Sequence, residues 1–160
     1  MKRMKMKKTI MTLLVLLCAI GSQAQTYTIK SGGQGKSGNY LVRVTVTTST
    51  KEKNLDAEDL VKRYAVHGVL FRGLMAADGY GEQKPLVGDP AVEQTKADFF
   101  NPFFEKKEYN TYVSIVDQSL TSTKTGKKYY EASALLLVDK ESLRHYMEEN
   151  GIIKGFSNLW

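Results

Sequence analysis

The chain has 160 residues, with 23 Lys or Arg against 17 Asp or Glu, a net charge of +6 and one cysteine. A chain of this length fits a single domain that can bury one adequate core without covalent staples. A lone cysteine excludes an internal disulfide framework.

Lys2, Arg3, Lys5, Lys7 and Lys8 crowd the start of the chain with no acid among them. An apolar run follows from Ile10 to Ile20, interrupted by Thr12, and then come the small and polar residues Gly21-Ser22-Gln23-Ala24-Gln25. That order, basic then apolar then small, is the order of a cleavable secretory signal. Ser22 and Ala24 fit the −3 and −1 positions of a cleavage site. This predicts a signal peptide over 1–24, cleaved after Ala24, and a single exported domain over 25–160. As a helix, Ile10–Ile20 would reach only about 16 Å, roughly half of a bilayer's hydrocarbon core, so a membrane span is the weaker reading. Lipid attachment at Cys18 stays open as an alternative. Bacterial lipoproteins, however, want a small residue directly before that cysteine, and Leu17 stands there.

Removing the signal leaves 18 basic and 17 acidic residues, a net charge of +1. The basic excess therefore belongs to the leader, and it gives no support to a nucleic-acid partner. The mature chain also loses its cysteine and, with it, thiolate chemistry. No transmembrane span is expected in it.

Tyr27–Lys30 reads as a short strand, followed by the glycine-rich segment 31–38 and a second strand from Tyr40 to about Thr48. In that second strand Val42, Val44 and Val46 alternate with Arg43, Thr45 and Thr47, the period of a half-buried strand. A helix is predicted from near Asn54 to about Met75. Its face Leu60, Tyr64, Gly68, Phe71, Met75 recurs at three- and four-residue steps as a sheet-facing stripe. Val66, Val69 and Leu70 lie on its other sides, so this helix is expected to be covered twice. Gly68 and Gly73 would each weaken an isolated helix by about 1 kcal/mol relative to Ala, which points to close packing.

Residues 76–88 read as a loop. Asp89-Pro90 then opens a second helix as N-cap and first-turn proline, and Asn101-Pro102 is expected to end or kink it. Phe99, Phe100, Phe103 and Phe104 flank that break. They are candidates to cover the second face of the first helix, with a partner-binding patch at Phe103 and Phe104 as the alternative. Two further strands are predicted, one with Thr111, Val113 and Ile115 alternating against Tyr112, Ser114 and Val116. The other alternates Tyr130, Ala132, Ala134, Leu136 and Val138 against Tyr129, Glu131 and Ser133, with a polar hairpin loop over 121–127 between the two. Asp139 caps a last helix over 140–150, and Gly151 with Ile152 against Met147 forms its stop. The order ββ-αα-ββ-α predicts a two-layer α+β domain: roughly four strands, antiparallel or mixed, with helices on one face.

Gly33-Gln34-Gly35-Lys36-Ser37-Gly38 matches G-x-G-x-x-G, yet a phosphate site of that kind needs a helix start directly after it. A β-branched strand follows instead, so a hairpin loop and no nucleotide is expected. His67 and His145 stand alone in sequence, without the further ligands or nucleophile that zinc or triad chemistry needs. Asp56, Glu58 and Asp59 suit a helix start. Residues 78–82 form either a turn or a binding loop. Lys124, Lys127 and Lys128 fit a solvated strand edge. No catalytic, cofactor-binding or metal-binding residue is assigned.

Beyond Gly151 the apolar Phe156, Leu159 and Trp160 have two readings: a tail folded back on its own domain, or a ligand peptide anchored by Trp160 in a partner's pocket. The stretch 57–73, centred on Ala65-Val66-His67-Gly68-Val69-Leu70-Phe71-Arg72-Gly73, together with Gly151-Ile152-Ile153-Lys154, resembles small exported Gram-negative proteins of unknown function. In layout the chain is more distantly similar to the N-terminal domain of a flagellar outer-membrane assembly protein and its lipoprotein relatives. The resemblance implies a non-catalytic accessory or interaction role in the periplasm or outer envelope, with a protein partner. A small exported enzyme or a soluble ligand binder are the alternatives.

Overall fold

The computed structural model describes residues 26–33, 35, 38–49 and 56–155. The leader with Cys18 and the Ala24–Gln25 junction, Lys36, Asn54, and the tail residues Phe156, Leu159 and Trp160 lie outside them.

Alternation writes the sheet. In β1 (Thr26–Gly33) Tyr27, Ile29 and Ser31 are buried, and in β2 (Asn39–Ser49) Val42, Val44, Val46 and Thr48 are buried. In β5 (Tyr129–Asp139) Ala132, Ala134, Leu136 and Val138 complete the same face. These three pair antiparallel, with Val44 opposite Ala134 and Ile29 opposite Val44. The far side of β5 carries two short strands in succession, β3 (Val113–Ile115) against 136–138 and β4 (Thr121–Lys124) against 130–133. Between them the Ser119 hydroxyl takes the place of a backbone group. It donates to the Leu135 carbonyl at 3.0 Å and accepts from the Leu135 N–H at 3.1 Å. The result is a five-stranded antiparallel sheet in an α+β domain.

The sheet has one strand more than the sequence predicts, and the extra one is β4, which falls where a hairpin loop is expected. Its four residues are exposed on both sides, so Thr121-Ser122-Thr123-Lys124 carries no apolar alternation to announce it. The predicted strand over 111–116 also shortens. Glu108–Tyr112 is a 3₁₀ turn, which lines up Tyr109 and Tyr112 three residues apart toward the core.

Helix α1 (Ala57–Phe71) starts on Asp56, whose carboxylate accepts from the Glu58 N–H at 3.1 Å. It ends four residues short of the predicted Met75. Gly73 adopts φ 74°, and Leu74 and Met75 then leave to pair with Gln83 and with β1. The helix packs on the sheet, and Gly68 is a point of close approach: a Cβ there would stand 2.6 Å from Ile29 Cδ1. Gly68→Val is expected to destabilise the protein by about 1–3 kcal/mol through overpacking, measured as a lower urea midpoint. A loss below about 0.5 kcal/mol would show that the helix can lift off Ile29.

Asp89 accepts from the Ala91 N–H at 2.9 Å and leads into α2 (Val92–Thr95) and α3 (Ala97–Glu105). Pro102 sits inside α3 and neither ends nor breaks it. The carbonyl it leaves without a donor belongs to Asp98, which is exposed, while Phe100, Phe103 and Phe104 hold the helix down. Those rings cover α1 on the side of Phe71, a residue the sequence places on the sheet-facing stripe: Phe100 meets Phe71 at 4.9 Å between centroids and Phe104 meets His67 at 5.8 Å. Finally α4 (Lys140–Glu149) begins on Asp139 and stops at Gly151, φ 65°. Its stop carries both expected bonds, Ile152 N–H to Met147 O and Gly151 N–H to Glu148 O, at 2.9 and 3.0 Å. Among the described residues no helix is long and apolar enough to cross a membrane.

Candidate functional site

Three features of the surface concern function. The first is a histidine that looks solitary in sequence and is not. His67, on α1, receives Tyr27 from β1 and Glu93 from α2: Tyr27 Oη lies 2.6 Å from Nδ1, and Glu93 Oε1 lies 2.9 Å from Nε2. Burial lowers the His67 pKa below its ordinary value, and the adjacent Glu93 carboxylate offsets part of that effect. The Arg72 and Arg63 guanidinium groups push the same way as burial. Tyr27 is driven far above the usual phenol range, chiefly by burial. The phenol therefore stays protonated and donates to Nδ1 of the neutral ring, which leaves Nε2–H to donate to Glu93. Arg63, Tyr64, Asn101, Phe104 and Glu105 surround the pair in a cleft of about 200 Å³. Both ring nitrogens are engaged, and the cluster ties β1, α1 and α2 together.

The second feature is the bare face of the sheet. Leu41, Leu135 and Leu137 point away from the helices, Leu41 directly opposite Leu137. Leu137 is 37% exposed, and Leu135 reaches across β2 to Gly32, where a Cβ would stand 2.5 Å from its Cδ1. Around these three the same face carries Thr26, Thr28, Thr45, Thr47 and Ser133 together with the charged Lys30, Arg43 and Glu131, Arg43 directly opposite Leu135.

The third lies beside Leu41, at the hairpin end. The chain from Leu74 to Gln83 forms a small hairpin of its own, bonded both ways at Leu74–Gln83 and at Ala77–Tyr80. Its tip, Asp78-Gly79, takes φ 52° and 84°, so the segment 78–82 is a tight turn. Met75 stitches this hairpin to β1. Between the two hairpins a cleft of about 240 Å³ opens, lined by Asn39, Tyr40, Leu41, Tyr80 and Gln83 over the glycine-rich segment.

No family model, curated protein or solved structure matches the chain. The geometry therefore carries the functional argument alone. Phe103 and Phe104, candidates for a partner patch, are buried, while Phe156, Leu159 and Trp160 lie outside the described residues. Among the described residues no group of three His, Cys, Asp or Glu side chains could hold a metal ion. His145 faces Glu149 on the surface of α4 at 3.1 Å, one turn away. The G-x-G-x-x-G segment enters β2 directly. Sequence reasoning missed the His67 cluster, and of the hairpin cleft it offered only residues 78–82 as a turn or a binding loop. The partners of His67 lie 40 and 26 residues away, and no local spacing signals them.

Proposed function

We propose that the mature chain is a non-catalytic interaction module of the periplasm or outer envelope, exported by its leader and docking a protein partner on the bare face of the sheet. The observation that carries this reading is the leucine trio Leu41, Leu135 and Leu137, ringed by hydroxyl and charged side chains on a face that none of the described helices covers. An apolar centre with a polar rim is the anatomy of a protein–protein interface. The basic leader and the Ser22/Ala24 pair support the location, as does the resemblance to exported Gram-negative proteins. The competing reading, an exported acid–base enzyme, would have to use His67. Its two nitrogens are already bonded, and Tyr27, at 4% exposure, is out of a substrate's reach.

A photo-crosslinking residue placed at Leu137 or at Leu41 in the full chain, expressed in cells, tests this. Both positions are expected to give the same single adduct on the processed chain beginning at Gln25, with none from Glu105 on the helical side. Leu137→Glu should remove the adduct formed from position 41 while changing stability by no more than about 0.5 kcal/mol, as for an ordinary surface change. Equal adducts from positions 137 and 105, or none from either leucine, would refute the docking face.

A further inference from the structure

The cleft between the two hairpins has a chemistry of its own. Among the described residues that line it, none is charged. The Lys140 ammonium is held over the Tyr40 ring at 4.7 Å. This described lining gives an ion nothing to pair with and so favours a neutral ligand. Its volume, about 240 Å³, falls below the range of roughly 300–1,000 Å³ typical of drug-sized pockets, which limits the occupant to about one ring.

The polar side chains on its walls are the amides of Asn39 and Gln83, the phenols of Tyr40 and Tyr80 and the hydroxyl of Ser31. Asn39 and Gln83 each present an acceptor oxygen and a two-hydrogen donor. The Tyr40 hydroxyl lies 3.5 Å from Gln83 Oε1, at the outer limit of a hydrogen bond, so both groups retain capacity for a third partner. Groups that both donate and accept match a ligand that does the same, which is the character of a polyol.

Tyr80 supplies the flat surface. It is 40% exposed, yet it is not on a slack loop. The two-way bonds between Ala77 and Tyr80, at 3.1 and 2.9 Å, and those between Leu74 and Gln83, at 2.8 and 2.9 Å, fix the turn that bears it. An aromatic ring held in advance loses little entropy when a ligand stacks on it. Gly33 faces that ring across the slot; a Cβ there would come within 3.9 Å of Tyr80 Cε2 and 3.1 Å of Leu41 Cδ2. A side chain at this position would therefore narrow the slot.

We infer that this cleft is a binding subsite for a neutral pyranose ring, stacked by its C–H face on Tyr80 and hydrogen-bonded through its hydroxyls to Asn39 and Gln83. It shares Leu41 with the leucine face, but its test uses no protein partner, so either reading can fail without the other. A ligand of about a dozen heavy atoms at ordinary efficiency binds with a Kd of roughly millimolar order. Titration of the ¹⁵N-labelled protein with methyl β-glucoside and with N-acetylglucosamine tests the inference. The expected result is saturable shifts of the Gly33, Asn39, Tyr80, Gly81 and Gln83 amides with at least one of the two sugars. Tyr80→Ala should weaken that binding about tenfold or more without changing Tm, and Tyr80→Phe should restore it. Absence of saturable shifts with both sugars would overturn the inference. So would shifts that persist unchanged in Tyr80→Ala, or an equal response to cyclohexanol, which has the ring but not the array of hydroxyls.

Discussion

Phe103→Ala is expected to lower unfolding free energy by about 3–5 kcal/mol, the cost of removing a buried phenylalanine and leaving its cavity. Phe103 is 1% exposed, and its ring stands between three pieces of chain that share no hydrogen-bonded ladder. It stacks with Phe99 of its own helix at 6.0 Å between centroids, with Tyr112 of the 3₁₀ turn at 6.4 Å, and with Tyr146 of α4 at 6.0 Å. The Tyr109 ring lies 6.5 Å away, and its hydroxyl donates to Asp59 on α1 at 2.7 Å. Loss of Phe103 therefore loosens α3, the 3₁₀ turn and α4 from one another at once. For a small domain whose whole stability is about 5–15 kcal/mol, a change of this size brings unfolding close to ambient conditions. Urea unfolding reads it directly as a lower midpoint at unchanged slope. A loss under about 1 kcal/mol would mean that Phe99 and Tyr146 close over the gap.

The parts of this fold that were legible in the sequence are those where one face is buried. Val42, Val44 and Val46, then Ala132, Ala134, Leu136 and Val138, alternate because each meets α1 or α4 on one side and open surface on the other. The stop at Gly151 was legible for a local reason: the motif is written within six residues, Met147 to Ile152, and depends on nothing distant. β4 was not legible, since Thr121–Lys124 buries neither face and its pairing is dictated by β5. Nor was the continuity of α3 through Pro102, because a proline's local penalty was outweighed by three phenylalanines whose neighbours lie elsewhere in the chain. The candidate sites were the least legible of all. Tyr80 acquires meaning only when Met75 ties its hairpin to β1, and Leu41 only when its cross-strand partner proves to be Leu137.

Acidification should expose the His67 cluster as a determinant of stability. In the folded protein burial holds the His67 pKa below the ordinary value, whereas in the unfolded chain it returns to about 6.5. Between those two values the unfolded chain binds a proton that the folded one declines, so stability rises with pH across that window. The contribution of His67 is accordingly complete above about pH 6.5. It is lost progressively as pH falls from there toward the folded pKa, and it levels off below. Ordinary carboxylates titrate near 4, beneath most of this window, which leaves the effect visible between roughly pH 7 and 5. Glu93 is the counterweight. Glu93→Gln removes the hydrogen-bonded anion that favours the imidazolium, and should steepen the loss of stability on acidification. Tyr27→Phe should cost about 1–3 kcal/mol even at pH 7.5, because Nδ1 is then left buried without its donor. The double variant Tyr27→Phe/His67→Phe separates shape from charge. It keeps the rings that pack against Tyr64, Phe71 and Phe104 while removing both polar partners, so it should recover much of the stability lost in Tyr27→Phe. It should also flatten the profile between pH 7 and 5. Thermal melts of the four proteins at half-unit pH steps decide the matter. If the double variant retains the wild-type slope, another group drives the acid response and the cluster is merely packed.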